Sequence, residues 1–172
     1  GSDRILLVGV SNGTSESDVI TGITYNGVSM TRVPTNGFVA NAGSGKSLFL
    51  YYLINPASGA NNVVISSSAS VDIMGVSASY TGALQSGQPD ASSSGTTDAA
   101  SSITNSVTSV ADQCWAVSVE VNTQDQPASG TNLTERTQNS VTGIGDSNAV
   151  ITPAGALSQT WNREGTGPSD WA

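Results

Sequence analysis

The residues from Ala40 to Ser47 (ANAGSGKS) fit a loose glycine-rich phosphate-loop pattern, in which backbone amides cradle phosphates and the lysine reaches the terminal ones. That chemistry needs a buried strand before the loop and a helix after it. Here TNGFV precedes and the apolar run SLFLYYLI follows directly, so the segment is expected to join two strands and to bind no nucleotide. The chain contains no histidine. Nucleophilic catalysis of Ser-His or Cys-His type is therefore ruled out. Glu120 and Glu135 are the pair that two-carboxylate glycoside hydrolysis would use, but nothing in their spacing sets the separation such chemistry requires. Solvated charges on strand faces are the expected role of both, and no enzyme activity is expected.

Acidic and amide side chains cluster at Glu16 to Asp18, Asp90 to Asp98 and Asp146 to Asn148. Oxygen-rich loops of this kind can hold Ca2+, which makes Asp18, Asp90 and Asp146 the candidate metal ligands and Ca2+ the one candidate cofactor. None has the ligand spacing of a recognised calcium loop, and turn chemistry accounts for these residues without metal. Trp161, Trp171 and Tyr51, with Tyr52, are candidates for a sugar-stacking platform, against which core burial competes. Asn12-Gly13-Thr14 and Asn132-Leu133-Thr134 are glycosylation sequons, relevant only in a glycosylating host.

The 172 residues carry five basic and 13 acidic side chains, a net charge of −8. So few cations leave nothing to neutralise a phosphate backbone or an anionic membrane surface, so neither nucleic acid nor membrane is an expected partner. No window approaches the roughly 18 to 20 consecutive apolar residues of a spanning helix, and a soluble segment is expected. Cys114 stands alone, so no intrachain disulfide can form; its apolar surroundings suggest a small core residue.

These side chains must be positioned by strands. Good helix formers are scarce, while β-branched residues and turn formers are plentiful. Arg4 to Val10 (RILLVGV) and Ser47 to Ile54 (SLFLYYLI) are apolar at nearly every position, as strands buried on both faces are. Val19 to Tyr25 and Val28 to Val33 flank Asn26-Gly27, the signature of a two-residue hairpin turn. Val63 to Ser67 follows, then Val71 to Tyr80, in which Met74, Val76, Ala78 and Tyr80 share one face. Ile103 to Val110 and Gln113 to Val121 resume the pattern. In the second, Trp115 alternates in phase with Val117, Val119 and Val121, which predicts a core tryptophan. Weaker strands are expected at Thr131 to Thr137, Ala149 to Ile151 and Ala156 to Trp161. Residues 84–102 (LQSGQPDASSSGTTDAASS) lack periodicity and are expected to form a long, flexible surface loop. About nine or ten short strands at this spacing predict one all-β domain over residues 1–172: an antiparallel β-sandwich of jelly-roll or immunoglobulin-like type.

The order GSDRILLVGVS, ITYNGVSMTRV and SLFLYYLINPASGANNVVISSSASVDIMGVSASYTGA resembles a β-sandwich module of bacterial secreted multidomain proteins and phage structural proteins. The likeness runs from about Gly1 to Ala83 and weakens through LTERT and SDWA. It implies a structural or adhesive module without shared catalytic residues. It also implies a strand before GSDR and another after SDWA, so this sandwich is expected to lack edge strands and to complete itself with strands of neighbouring chains.

The resulting expectation is a non-enzymatic structural surface protein, the subunit of an extracellular filament or a virion surface component. Its partners would be copies of itself or other structural subunits. The alternative is a carbohydrate-binding or adhesive module whose partner is a glycan.

Overall fold

A computed structural model describes residues 2–34 and 37–172. It is all-β, 52% strand, with no helix among the described residues. The strands among the described residues are β1 (Ile5–Asn12), β2 (Ile20–Tyr25), β3 (Val28–Ser29), β4 (Thr31–Val33), β5 (Val39–Asn41), β6 (Lys46–Ile54), β7 (Val63–Ser67) and β8 (Ile73–Tyr80) in the first half. The second half holds β9 (Thr97–Ala100), β10 (Ser102–Thr108), β11 (Val117–Val121), β12 (Pro127–Ser129), β13 (Thr134–Asn139), β14 (Thr142–Asp146), β15 (Ala156–Arg163) and β16 (Ser169–Trp171).

The central sheet has β1 between β6 and β8, both antiparallel, with β4 and β5 pairing along the far side of β6. Period-two alternation gives β1 two apolar faces. Leu6, Val8 and Val10, with Phe49 and Tyr51 of β6, pack against Ile20 and Ile23 of the β3-β2-β7 sheet and against Val19, which precedes β2. Ile5 and Leu7, with Val76 of β8, pack the other way against Ile144, Val117 and Val119 of the β11-β14-β13 sheet. This double burial is why the run RILLVGV carries no polar alternation.

The hairpin at Asn26-Gly27 forms as expected, with positive φ at both turn residues (49° and 76°). Its second arm is split, however. Val28–Ser29 pairs with β2, whereas Thr31–Val33 crosses to pair with β6.

A further sheet, β10-β15-β12, covers the opposite face of the β11-β14-β13 sheet. Trp161 of β15 lies on β14, where a Cβ on Gly143 would come within 3.0 Å of its Cη2 and one on Gly145 within 3.2 Å. Every residue of β14 is buried. Its sequence, TGIGD, looks like a turn because the tryptophan occupies the space that side chains would take.

Four expectations need correction. Residues 84–102 are not all loop: β9 pairs with β16, and β10 begins at Ser102. Ala149 to Ile151 is no strand, only a single bridge from Ile151 to Cys114. Trp115 is 45% exposed. The valines do face the core, but the strand starts at Val117, and a positive φ at Gln113 (60°) breaks the extended backbone upstream. Cys114 is only half-buried, its thiol hydrogen-bonded to the Ala111 carbonyl at 3.2 Å.

Candidate functional site

The features that could meet a partner are sheet edges. A free edge presents a row of unpaired amides and carbonyls, which proteins blunt by shortness, charge, proline or a bulge. Most edges here are blunted. β3 has two residues, β4 and β5 three each, β12 begins with Pro127, and β13 carries Glu135 and Arg136 across a register shift. β7 pairs with β2 through a shift near Gly22.

β8 is different. It is eight residues long (IMGVSASY), without charge or proline, and pairs with β1 in unbroken register. No backbone hydrogen bond from Ile73–Tyr80 reaches any other strand among the described residues. Val76 is buried and Ala78 and Tyr80 pack behind it, whereas Ile73, Gly75, Ser77 and Ser79 face solvent. A neighbouring strand would therefore meet Ile73 and then the small side chains of Gly75, Ser77 and Ser79. β10, seven residues (SITNSVT) paired only with β15, is a second uncharged free edge.

The aromatics expected to stack on sugar do not offer their rings. Tyr51 is buried, and its hydroxyl accepts a 2.8 Å hydrogen bond from Arg32 Nε. Trp161 is 3% exposed and donates from Nε1 to Ser118 Oγ at 3.0 Å. Trp171 is fully enclosed and donates to the Ala100 carbonyl at 3.0 Å. Burial with a satisfied indole N–H is the packing role of tryptophan, so these three form no binding platform. Tyr52 is half-buried, its hydroxyl donating to the Gln88 carbonyl at 2.7 Å.

The candidate calcium ligands are each engaged with protein groups. Asp18 holds Arg32 at 2.8 Å. Asp90 accepts from the Val110 and Ala111 amides at 2.6 and 3.1 Å, which keep its carboxyl below its ordinary range. Asp146 is enclosed and accepts from Arg136 Nε at 2.6 Å, Arg136 Nη2 at 2.9 Å, the Tyr80 hydroxyl at 2.8 Å and the Asn148 amide at 2.7 Å. Burial alone would raise this carboxyl, but the Arg136 and Tyr80 hydrogen bonds outweigh it and hold it low.

The glycine loop is the turn of the β5–β6 hairpin. Its Gly43 and Gly45 amides do gather an anion, but that anion is the chain's own Glu16, whose Oε1 accepts both at 2.5 and 2.9 Å. Lys46 makes no ion pair among the described residues, and burial lowers its amine below the ordinary value.

Glu120 is the feature that strand alternation misjudged. Expected as a solvated charge, it is 1% exposed, because the face of β11 opposite the valines is covered by the β10-β15-β12 sheet. Neither carboxyl oxygen has a hydrogen-bond partner; the Asn122 side chain and the Gly143 amide approach without reaching bonding geometry. Burial, with the Glu135 charge adding to it, pushes this carboxyl well above the usual range. Glu135 is itself half-buried and raised, by partial burial first and by Glu164 second.

Around Trp115 the structure gathers groups that sequence spacing does not join. Its ring lies 6.4 Å from that of Tyr80, tilted by 54°. Tyr80 donates to Asp146, Asp146 fixes Arg136, and Arg136 Nη2 donates to Asn148 Oδ1 at 2.7 Å. The Ala116–Ser147 contacts, amide to hydroxyl and carbonyl to amide, hold the Asn148 turn beside Trp115.

Comparison of the chain with protein-family models, curated proteins and solved structures finds no match.

Proposed function

We propose that this protein is a non-enzymatic structural subunit of a surface assembly, such as an extracellular filament or a virion surface, and that it joins copies of itself by strand pairing. The observation that carries this reading is the β8 edge: eight uncharged residues in regular register, open on one side, in a protein whose other edges are mostly blunted.

Strand addition supplies main-chain hydrogen bonds, each contributing about 1 kcal/mol net, and the uncharged strip spares two −8 copies a direct like-charge contact. A second free edge on a different sheet matters for geometry. Pairing β8 of one copy with β10 of the next is heterologous and propagates, whereas β8 against β8 closes a dimer. A surface of serine, threonine and small residues with few charges suits a building element better than a catalyst.

The test is the mass of the native protein by light scattering, compared with Ser77→Lys. Ser77 is exposed on β8, so the charge leaves the core untouched. Assembly in the native protein and its loss in the variant support the reading; a native protein that stays monomeric at high concentration rejects it.

A further inference from the structure

Trp115 and its surroundings form a second surface feature, where the last residue of β8, Tyr80, meets the β13–β14 hairpin. Trp115 differs from the other two tryptophans in leaving its ring open to solvent, 45% exposed against 3% for Trp161 and none for Trp171. An exposed indole is normally an unfavourable use of a large apolar ring, and here it is held in place by Tyr80 behind it. The polar groups beside it are fixed as well. The fully enclosed Asp146 carboxylate takes four hydrogen bonds, from Arg136 twice, Tyr80 and the Asn148 amide. This leaves the partly exposed Arg136 guanidinium and the Asn148 side-chain amide locked against each other at 2.7 Å at the surface.

We propose that Trp115, backed by Tyr80 and flanked by Arg136 and Asn148, is a stacking platform for neutral carbohydrate. A flat ring takes the apolar C–H face of a pyranose, while planar donors held at its edge pair with the sugar hydroxyls. The donors' low mobility matters, because groups ordered in advance lose little entropy on binding. Charge selects the uncharged class. Arg136 is already neutralised by Asp146, and Asp90 and Asp112 lie near Cys114, the residue before Trp115, so an anionic glycan would meet no uncompensated positive charge in a protein of net charge −8.

The experiment applies wild type, Trp115→Phe and Trp115→Ala to an array of neutral and anionic oligosaccharides, followed by tryptophan-fluorescence titration with the neutral hexasaccharides of glucan, chitin, mannan and xylan. The expected result is retention of at least one neutral glycan, with affinity reduced a few-fold in Trp115→Phe and roughly tenfold or more in Trp115→Ala. Trp115→Phe keeps an aromatic ring in place and so serves if the alanine variant folds poorly. No glycan bound, retention of anionic glycans alone, or unchanged affinity in both variants overturns the proposal. Tyr80 is the last residue of β8, so light scattering on the same samples, in which Trp115→Phe and Trp115→Ala leave every β8 residue in place, separates a loss of sugar binding from a loss of assembly.

Discussion

Replacing Glu120 by glutamine is predicted to stabilise the protein at neutral and mildly alkaline pH. The Glu120 carboxyl is enclosed, its oxygens lack partners, and burial raises it well above its ordinary 4.5. In the unfolded chain it loses its proton near that ordinary value, so above it the native state holds a proton that the unfolded state does not. Stability contributed by this group is therefore complete below about 4.5 and is lost as pH rises toward the folded value. Each unit costs about 1.36 kcal/mol. Between 4.5 and 7 the ceiling is roughly 3 kcal/mol, a large fraction of the ~5 to 15 kcal/mol that holds a domain together. Glutamine keeps the shape and removes the titration. Urea unfolding at pH 4.5, 6, 7 and 8, followed by the buried tryptophans, should give a falling wild-type curve and a flatter variant curve. The two should nearly meet at pH 4.5 and separate progressively as pH rises above it. Parallel curves, or a variant less stable than wild type at pH 8, would show that Glu120 is solvated or ion-paired and refute the argument. Glu135→Gln should change the same slope by less, because that carboxyl is only partly buried.

Trp161→Ala should cost about 3 to 5 kcal/mol, as removal of a buried large aromatic does, whereas Trp115→Ala should cost less than about 1 kcal/mol in the same denaturation assay. Gly143→Ala should be destabilised by about 1 to 3 kcal/mol, because its Cβ would sit 3.0 Å from both Trp161 and Pro127; a Tm equal to wild type would contradict the packing of Trp161 on β14.

The parts of this fold legible in sequence were those where one face or both faces of a strand meet apolar neighbours. RILLVGV and SLFLYYLI announced double burial, and Asn26-Gly27 announced its turn. Met74 to Tyr80 alternated as the structure does, with Val76 buried and Ser77 and Ser79 outside. The second half resisted for a physical reason. Its β11-β14-β13 sheet is covered on both sides, yet the side toward Trp161 is built from Gly143, Gly145, Ser118 and Glu120, residues that resemble turn and surface types. Alternation in β11 therefore correctly set the valines inward but assigned Glu120 to water. The same alternation, continued past the bend at Gln113, carried Trp115 into a core it does not enter. The platform around Trp115 was illegible because its members, Tyr80, Arg136, Asp146 and Asn148, are brought together by contacts between β8 and a distant hairpin. The β8 edge was invisible because pairing partners are a property of the sheet.

The central claim is that β8 is an assembly edge, and the most direct measurement is light scattering on the purified protein across a concentration series, with Ser77→Lys beside it. The account predicts a mass that climbs with concentration in the native protein and stays at the 17.3 kDa of one chain in the variant. A native protein at 17.3 kDa throughout, or a Ser77→Lys variant that assembles equally well, would contradict it.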